Sequence, residues 1–257
     1  MILLNFTYRK INFHTLKNYG LIGYPLSHSF SERYFAEKFY TLGIDAKYRN
    51  YELHDLDALP EIIQLHQLNG FNVTIPYKEK VLHYLDLIDE TAKKIGAVNC
   101  VKVDQGKLKG YNTDIIGFEK SLHAFIDSKE MKALVFGNGG SSKAVKYVLQ
   151  KLKIPFQSVS RNEIKGSITY SDLTESIFKD YHLLINTTPV GMFPHTQDML
   201  PLPYHFIDEN YFAFDLIYNP EKTAFLRRCE DEGAQIKNGY EMLVLQAEAA
   251  FSIFSSE

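Results

Sequence analysis

Four short polar clusters hold most of the side chains in this sequence that could do chemistry: His28-Ser29-Phe30-Ser31, Asn72-Val73-Thr74-Ile75-Pro76-Tyr77-Lys78, Gly96-Ala97-Val98-Asn99 and Asn112-Thr113-Asp114. The hydroxyls of Ser29 and Ser31 can donate to a carboxylate. The amides of Asn72 and Asn99 can both donate to and accept from an alcohol, and Thr74 adds a further hydroxyl. Together they form an inventory for gripping a small polyhydroxylated acid. Lys78 and Asp114 are of a different kind. A lysine and a carboxylate set against an oxygen that alternates between alcohol and ketone can supply or remove its proton, which is general acid/base catalysis. Each cluster also has a plainer structural use. Ser-x-Ser caps helices, Asn-x-Thr and Asn-Thr-Asp form turns, and Lys78 could begin a surface helix. Asp114 could cap a helix over Ile115 to Leu122 and still serve a proton transfer.

A second kind of chemistry lies in Ala133-Leu134-Val135-Phe136-Gly137-Asn138-Gly139-Gly140-Ser141-Ser142-Lys143-Ala144. An apolar strand runs into a glycine turn and then into the start of a helix. Gly137 permits the tight turn, and Gly139 removes the β-carbon where a pyrophosphate must approach. The turn from Asn138 through Gly140 and Ser141 offers the free N–H groups of a helix N-terminus to an anion. Ser142 stands where the dinucleotide fingerprint has its third glycine. About 20 residues further on, an acidic residue would hold the ribose of NAD. Here stand Ser160, Arg161 and Asn162. A guanidinium fork suits a phosphate, so NADP is the expected cofactor. Glu163 keeps NAD as the alternative.

These groups need elements to hold them. The pattern predicts strands over Tyr19 to Gly23, Ala46 to Leu53 and Phe71 to Ile75. It predicts helices over Glu32 to Leu42 and along Leu56, Leu59, Ile62, Ile63 and Leu65, the second stopped by Asn69-Gly70. A helix follows Pro76 to about Leu85, and Ala97 to Val103 with Leu108 to Tyr111 reads as a hairpin around Asp104-Gln105-Gly106. After a helix from Asp114 to Ile126 the alternation restarts with the strand Ala133 to Phe136 and a helix ending near Lys151. Further strands are predicted over Phe156 to Ser160, Leu183 to Asn186 and Phe212 to Leu216, and a last helix over Glu241 to Phe254. Short apolar runs between helices are what a buried parallel sheet produces.

The bulk properties agree. The 257 residues exceed what one ordinary core needs and predict two modest domains. The net charge of −3 gives no electrostatic reason to expect nucleic acid or an anionic membrane, which leaves a small molecule as the partner. Cys100 and Cys229 are too few for a disulfide scaffold and have no zinc-ligand spacing, so no metal is expected and a reducing cytoplasm is. No stretch approaches the roughly 20 apolar residues of a membrane span. Met1 to Asn18 runs in the reverse order of an export signal and reads as an extension.

The order of these motifs resembles the shikimate dehydrogenase family from Tyr19 to the C-terminus. The resemblance includes Gly23-Tyr24-Pro25-Leu26-Ser27-His28-Ser29-Phe30-Ser31 and the segments at 72–78, 96–99 and 112–114, then the glycine turn from Gly137. It continues through Asn186-Thr187-Thr188-Pro189-Val190-Gly191-Met192, Asp215-Leu216-Ile217-Tyr218-Asn219-Pro220 and Gly239-Tyr240-Glu241-Met242-Leu243-Val244-Leu245-Gln246.

The resemblance implies an α/β chain of two open domains separated by a cleft. One is an N-terminal substrate-binding domain, 1–113 completed by 239–257, and the other a Rossmann-like NADP-binding domain, 114–238. It implies reversible NADPH-dependent reduction of 3-dehydroshikimate to shikimate in chorismate and aromatic amino acid biosynthesis, by a monomer or homodimer. In that reading Ser29 and Ser31 take the substrate carboxylate. Asn72, Thr74, Asn99 and Gln246 hold ring hydroxyls, and Lys78 and Asp114 flank the reacting carbon. Tyr218 and Gly239 lie near the nicotinamide and substrate, with Met242 packed beside the nicotinamide. Gly137, Asn138, Gly139, Gly140, Ser141 and Thr187 line the cofactor, and Ser160 and Arg161 lie at its 2′-phosphate.

The sequence departs from the family at Ile115 in place of Gly, at Glu32-Arg33-Tyr34-Phe35-Ala36, at Ser160-Arg161-Asn162 and at Cys100. Two other readings stand beside this one. A quinate/shikimate dehydrogenase using NAD or NADP is opposed by the paired serines, since quinate needs room for an extra hydroxyl beside its carboxylate. A non-catalytic sensor is opposed by the retention of both Lys78 and Asp114.

Overall fold

A computed structural model of the chain describes residues 16–26, 29–126 and 130–256. The alternating pattern resolves into two six-stranded sheets. The first is built from β1 (Lys17–Gly23), β2 (Ala46–Glu52), β3 (Leu68–Val73), β4 (Leu87–Ile88), β5 (Cys100–Asp104) and β6 (Lys107–Tyr111). Its order is β2-β1-β3-β5-β6-β4. β1 runs parallel to β2 and β3, and β5 of the β5/β6 hairpin is antiparallel to β3. The hairpin turn falls where the sequence placed it, with Gln105 and Gly106 both at positive φ (49° and 77°). Two positive-φ residues match the twist of the flanking strands.

Around this sheet pack α1 (Phe30–Leu42), α2 (Leu59–Leu65) and α3 (Glu90–Ile95). α1 begins two residues before the predicted start because the Ser29 hydroxyl caps it, accepting from Ser31 N–H. Asn69-Gly70 does not stop a helix. α2 ends at Leu65, Gln67 makes the reversal at φ 47°, and Asn69 and Gly70 lie inside β3. A β-carbon on Gly70 would stand 2.7 Å from the Phe254 ring, so the glycine makes room for the last helix. The helix predicted before Leu85 is a short 3-10 turn, Lys80–Tyr84, and α3 was not anticipated. Lys17 and Asn18 belong to β1 and not to an extension, while 1–15 lie outside the described residues, as do Ser27 and His28.

α4 (Asp114–His123) leads to the second sheet: β7 (Ala133–Phe136), β8 (Phe156–Ser160), β9 (Ser167–Thr169), β10 (Leu183–Asn186), β11 (Phe212–Asp215) and β12 (Gln235–Lys237). All neighbours are parallel, in the order β12-β11-β10-β7-β8-β9. This is the doubly wound order, which reverses between β7 and β10 and leaves a crevice there at the strands' C-terminal ends. α5 (Gly140–Lys151), α6 (Glu175–Asp180) and α7 (Ala224–Asp231) connect the strands. β7 and β10 are buried at every position, as strands covered on both faces must be. The chain closes with α8 (Tyr240–Ser255), whose Ala247, Ala250 and Phe254 are buried with Tyr19, Phe35 and Tyr48 of the first sheet's core. The first sheet is thus completed by the C-terminus. No helix among the described residues is long and apolar enough to cross a membrane.

Candidate active site

Lys78 and Asp114 meet. The Lys78 ammonium donates to Asp114 Oδ2 at 2.7 Å and to Ser141 Oγ at 3.1 Å. The two side chains are only 14% and 7% exposed, so the pair is held away from bulk water, where such contacts gain strength. Lys78 follows β3 and is fixed through its own backbone, its carbonyl accepting from Val98 N–H at 2.8 Å. Asp114 is the first residue of α4. Thr113 occupies the cap position, so Asp114 does not cap this helix and its carboxylate is free for side-chain partners.

An amide network fixes the second carboxylate oxygen. Asn99 Nδ2 lies 2.8 Å from Asp114 Oδ1, 3.0 Å from Thr113 Oγ1 and 3.4 Å from Gln246 Oε1 of α8. Asn99 Oδ1 accepts from Thr113 N–H at 2.7 Å, which fixes the amide's orientation. Asn72 Nδ2 donates to the Asn99 carbonyl at 3.1 Å, and Tyr48 OH donates to Asn72 Oδ1 at 2.9 Å. Tyr48 is buried, which pushes its phenol well above its usual range, while Ser31 at its oxygen pulls the other way. A continuous polar chain therefore runs from Ser31 through Tyr48, Asn72 and Asn99 to Asp114 and Lys78. Tyr48 was not singled out from the sequence. Its only signal was the alternation of β2, which marks an inward position but not a hydroxyl reaching past β1 to β3.

The crevice at the reversal of the second sheet is a cavity of about 500 Å³. Gly137, Asn138, Gly139, Gly140, Ser141, Ser160, Arg161, Asn162, Thr187 and Thr188 line it, and so do Lys78 and Glu79 from the loop after β3. Gly137 sits at φ 110°, and a β-carbon there would approach Thr187 Oγ1 to 2.7 Å. No side chain fits this turn. Ser142, in the third fingerprint position, is buried and donates to the Gly137 carbonyl at 2.6 Å, so it ties the turn together. The donor set fits a dinucleotide. The N-terminus of the twelve-residue α5 points its free N–H groups at the turn, and Arg161 is exposed at the end of β8. Glu163 is not among the lining residues, and no carboxylate ends β8.

The remaining predicted residues fall as follows. Ser29 and Ser31 stand at the start of α1, and Thr74 follows β3. Tyr218 follows β11, its ring edge-on to Phe30 at 6.2 Å, with its hydroxyl against the Phe30 backbone N–H. Gly239 caps α8, donates to Ile217 O at 3.0 Å, and has no room for a β-carbon against the Leu216 carbonyl. Gln246 reaches the Asn99 amide. Met242 is buried in the core shared by α4, α5 and the second sheet, and neither it nor Gly239 lines the cavity. Ile115, the departure beside Asp114, is half-buried and packs on that same core. Among the described residues no cluster of three or more His, Cys, Asp or Glu could hold a metal.

A parallel doubly wound sheet whose nucleotide crevice opens onto a buried lysine–aspartate pair on a second α/β unit defines a two-domain nicotinamide-dependent dehydrogenase. Comparison with known proteins specifies which kind. Residues 21–101 match the family model of the shikimate dehydrogenase substrate binding domain. The NADP(+) shikimate dehydrogenase of Staphylococcus aureus (strain bovine RF122 / ET3-1) is 36% identical over 251 residues, covering 93% of this chain and 92% of the relative. The shikimate dehydrogenase of Aquifex aeolicus superposes with a TM-score of 0.85 at 32% identity, over 94% of this chain and 93% of that one. Shikimate 5-dehydrogenase of Thermus thermophilus, solved with NADP(H) and shikimate, gives 0.83 at 30% identity over 93% of each chain. The chain belongs to the shikimate dehydrogenase family.

Proposed function

We propose that this chain reduces 3-dehydroshikimate to shikimate with NADPH, reversibly, in the cytoplasm, as a step of aromatic amino acid biosynthesis. The observation that carries the reading is the Lys78–Asp114 pair, 2.7 Å apart and buried, beside the mouth of the nucleotide cavity. Residues 1–113 with 239–257 form the substrate-binding domain and 114–238 the NADP-binding domain. The completion of the first core by α8 and the restart of the alternation after α4 support that division.

Bound in the crevice, NADPH supplies the hydride that the protein itself cannot. The chain's residues then do the rest. Ser29 and Ser31 hold the substrate carboxylate at the start of α1, where a helix N-terminus favours an anion. Asn72, Thr74, Asn99 and Gln246 fix the ring through its hydroxyls, and Tyr218 closes on them from the other domain. Lys78 Nζ delivers a proton to the oxygen of the carbon being reduced. Asp114 Oδ2 keeps the ammonium aimed and shares the charge as the proton leaves. Asn99, locked by Thr113, holds Asp114 in that orientation. Gly137, Asn138, Gly139, Gly140, Ser141 and Thr187 would cradle the cofactor and Ser160 and Arg161 would take its 2′-phosphate, while Gly239 and Met242, which do not line the cavity, would pack behind the groups beside its nicotinamide. In the oxidative direction the same atoms run in reverse.

Initial rates with shikimate and quinate, each with NADP and NAD, test the assignment. The fastest pair is expected to be shikimate with NADP. Faster oxidation of quinate would overturn the substrate, and binding without any change in nicotinamide absorbance would overturn catalysis.

A further inference from the structure

α5 carries three lysines, and two of them are paired with carboxylates. Lys143 pairs with Glu79 at 2.5 Å and Lys151 with Glu119 at 2.8 Å. Lys146 differs. It is partly buried, and its ammonium donates to a neutral group, the side-chain carbonyl of Asn138, at 2.6 Å. Burial and the nearby Lys143 both push that ammonium below the usual lysine range, as expected of a cation set beside another cation. Asn138 is the residue between the two glycines of the turn and lines the cavity. Its Nδ2 faces Ser167 Oγ at 3.4 Å, on β9, the strand that pairs with β8, after which Arg161 follows. Because Lys146 can only donate, it fixes the Asn138 amide with its oxygen turned toward α5 and its N–H groups toward Ser167. Without that contact the amide could present either edge to a ligand.

We propose that Lys146 is a positioning residue for the cofactor's 2′-phosphate. It acts through Asn138, holding the amide's donor edge toward the adenosine end of the cavity and setting a positive charge behind it. Arg161 supplies the direct guanidinium contact, while Lys146 ensures that the opposite wall offers a donor and no acceptor. A doubly ionised phosphate gains from this arrangement, and a ribose hydroxyl, which can donate as well as accept, gains little. The proposal rests on the NADP-linked reading above and adds to it a determinant outside the loop that follows β8.

The test uses the intact apo-protein and two fragments, 2′,5′-ADP and 5′-AMP, titrated by calorimetry. Wild type is expected to prefer 2′,5′-ADP; equal affinity would overturn the NADP reading and this proposal with it. If the preference holds, Lys146→Met and Lys146→Gln are expected to weaken 2′,5′-ADP about tenfold, the loss of one charge-assisted interaction, and to leave 5′-AMP within about twofold. Lys146→Arg, which keeps a charged donor, restores most of the preference. Asn138→Ala is expected to lose as much as Lys146→Met, and the double variant no more than either. Equal weakening of both fragments would show a merely structural role for the turn. Unchanged binding of 2′,5′-ADP, or additive effects of Lys146→Met and Asn138→Ala, would likewise overturn the proposal. Unfolding midpoints of the apo variants separate any loss of folding from loss of binding.

Discussion

In the proposed reaction, Lys78 would be suited to proton transfer because its partners are unequal. Asp114 opposes its charge, whereas Ser141 offers only a hydroxyl, so one face of the ammonium is held while the cavity keeps access to another. Asp114→Asn keeps the shape but removes the charge that aims the ammonium. It is expected to lower kcat by about one to two orders of magnitude, within the range general acid/base groups contribute, with little change in cofactor binding. Steady-state rates beside calorimetric titration of NADP check this, and a wild-type kcat would exclude Asp114 from the relay. Arg161 carries a different burden. Arg161→Ala is expected to raise KM for NADPH about tenfold or more while leaving KM for NADH nearly unchanged, as loss of a phosphate contact requires. An unaltered ratio of the two would place the phosphate elsewhere.

At the scale of elements, two buried devices fix the chain where it leaves β11. Gly239 begins α8 pressed against the Leu216 carbonyl, and Gly239→Ala must push α8 away from β11. Overpacking of this kind costs about 1 to 3 kcal/mol, or more where backbone is the obstacle. Lower thermal stability together with a raised KM for shikimate is expected, because Gln246 rides on the same helix. The second device is Asp215 at the end of β11. Its Oδ1 accepts from Asn186 at 3.1 Å and from Ile217 N–H at 3.0 Å, and its Oδ2 accepts from the Thr223 hydroxyl at 2.6 Å. Asn186 in turn accepts from Thr188, so the carboxyl anchors the 187–190 wall of the cavity. Burial pushes Asp215 up to about 7, against the pull of its three donors. The folded protein therefore holds this proton more tightly than the unfolded chain, whose carboxyl titrates near about 4. Its contribution to stability is complete below that value and is lost as pH rises through about 7. Asp215→Asn is expected to flatten the fall in unfolding midpoint between about pH 4 and 7; a slope identical to wild type would contradict it. Much of this scale was legible in the sequence. The glycine turn announced β7 and α5 because a turn residue, a small cap and an apolar strand all point the same way. α3 was missed although Asp89 caps it and Gly96 ends it, because one and a half turns carry too little periodicity to register. Asn69-Gly70 misled because the same pair that stops a helix also suits a strand over which an aromatic ring must close. The Tyr48 and Thr113 bonds were invisible, since they depend on which strands become neighbours and not on local spacing.

Across the whole molecule, the proposed chemistry depends on bringing residues of two α/β units together. Lys78 and Asn99 come from the first sheet's loops, Ser141 from α5 of the second, Asp114 from the connecting α4, and Gln246 from the last helix, which returns to the first core. The Lys78–Ser141 and Glu79–Lys143 contacts both cross between the facing units beside the cavity. Lys78→Met isolates the central claim from this architecture, because methionine fills similar volume and cannot carry a proton. The decisive measurement is the rate of NADPH oxidation with 3-dehydroshikimate by wild type and Lys78→Met at saturating ligand, with shikimate and NADP affinities measured separately. A fall in kcat of about 10² to 10⁴, the contribution of a positioned acid, with NADP affinity preserved, is the predicted result. Undiminished turnover in the variant would contradict it and remove Lys78 from the reaction.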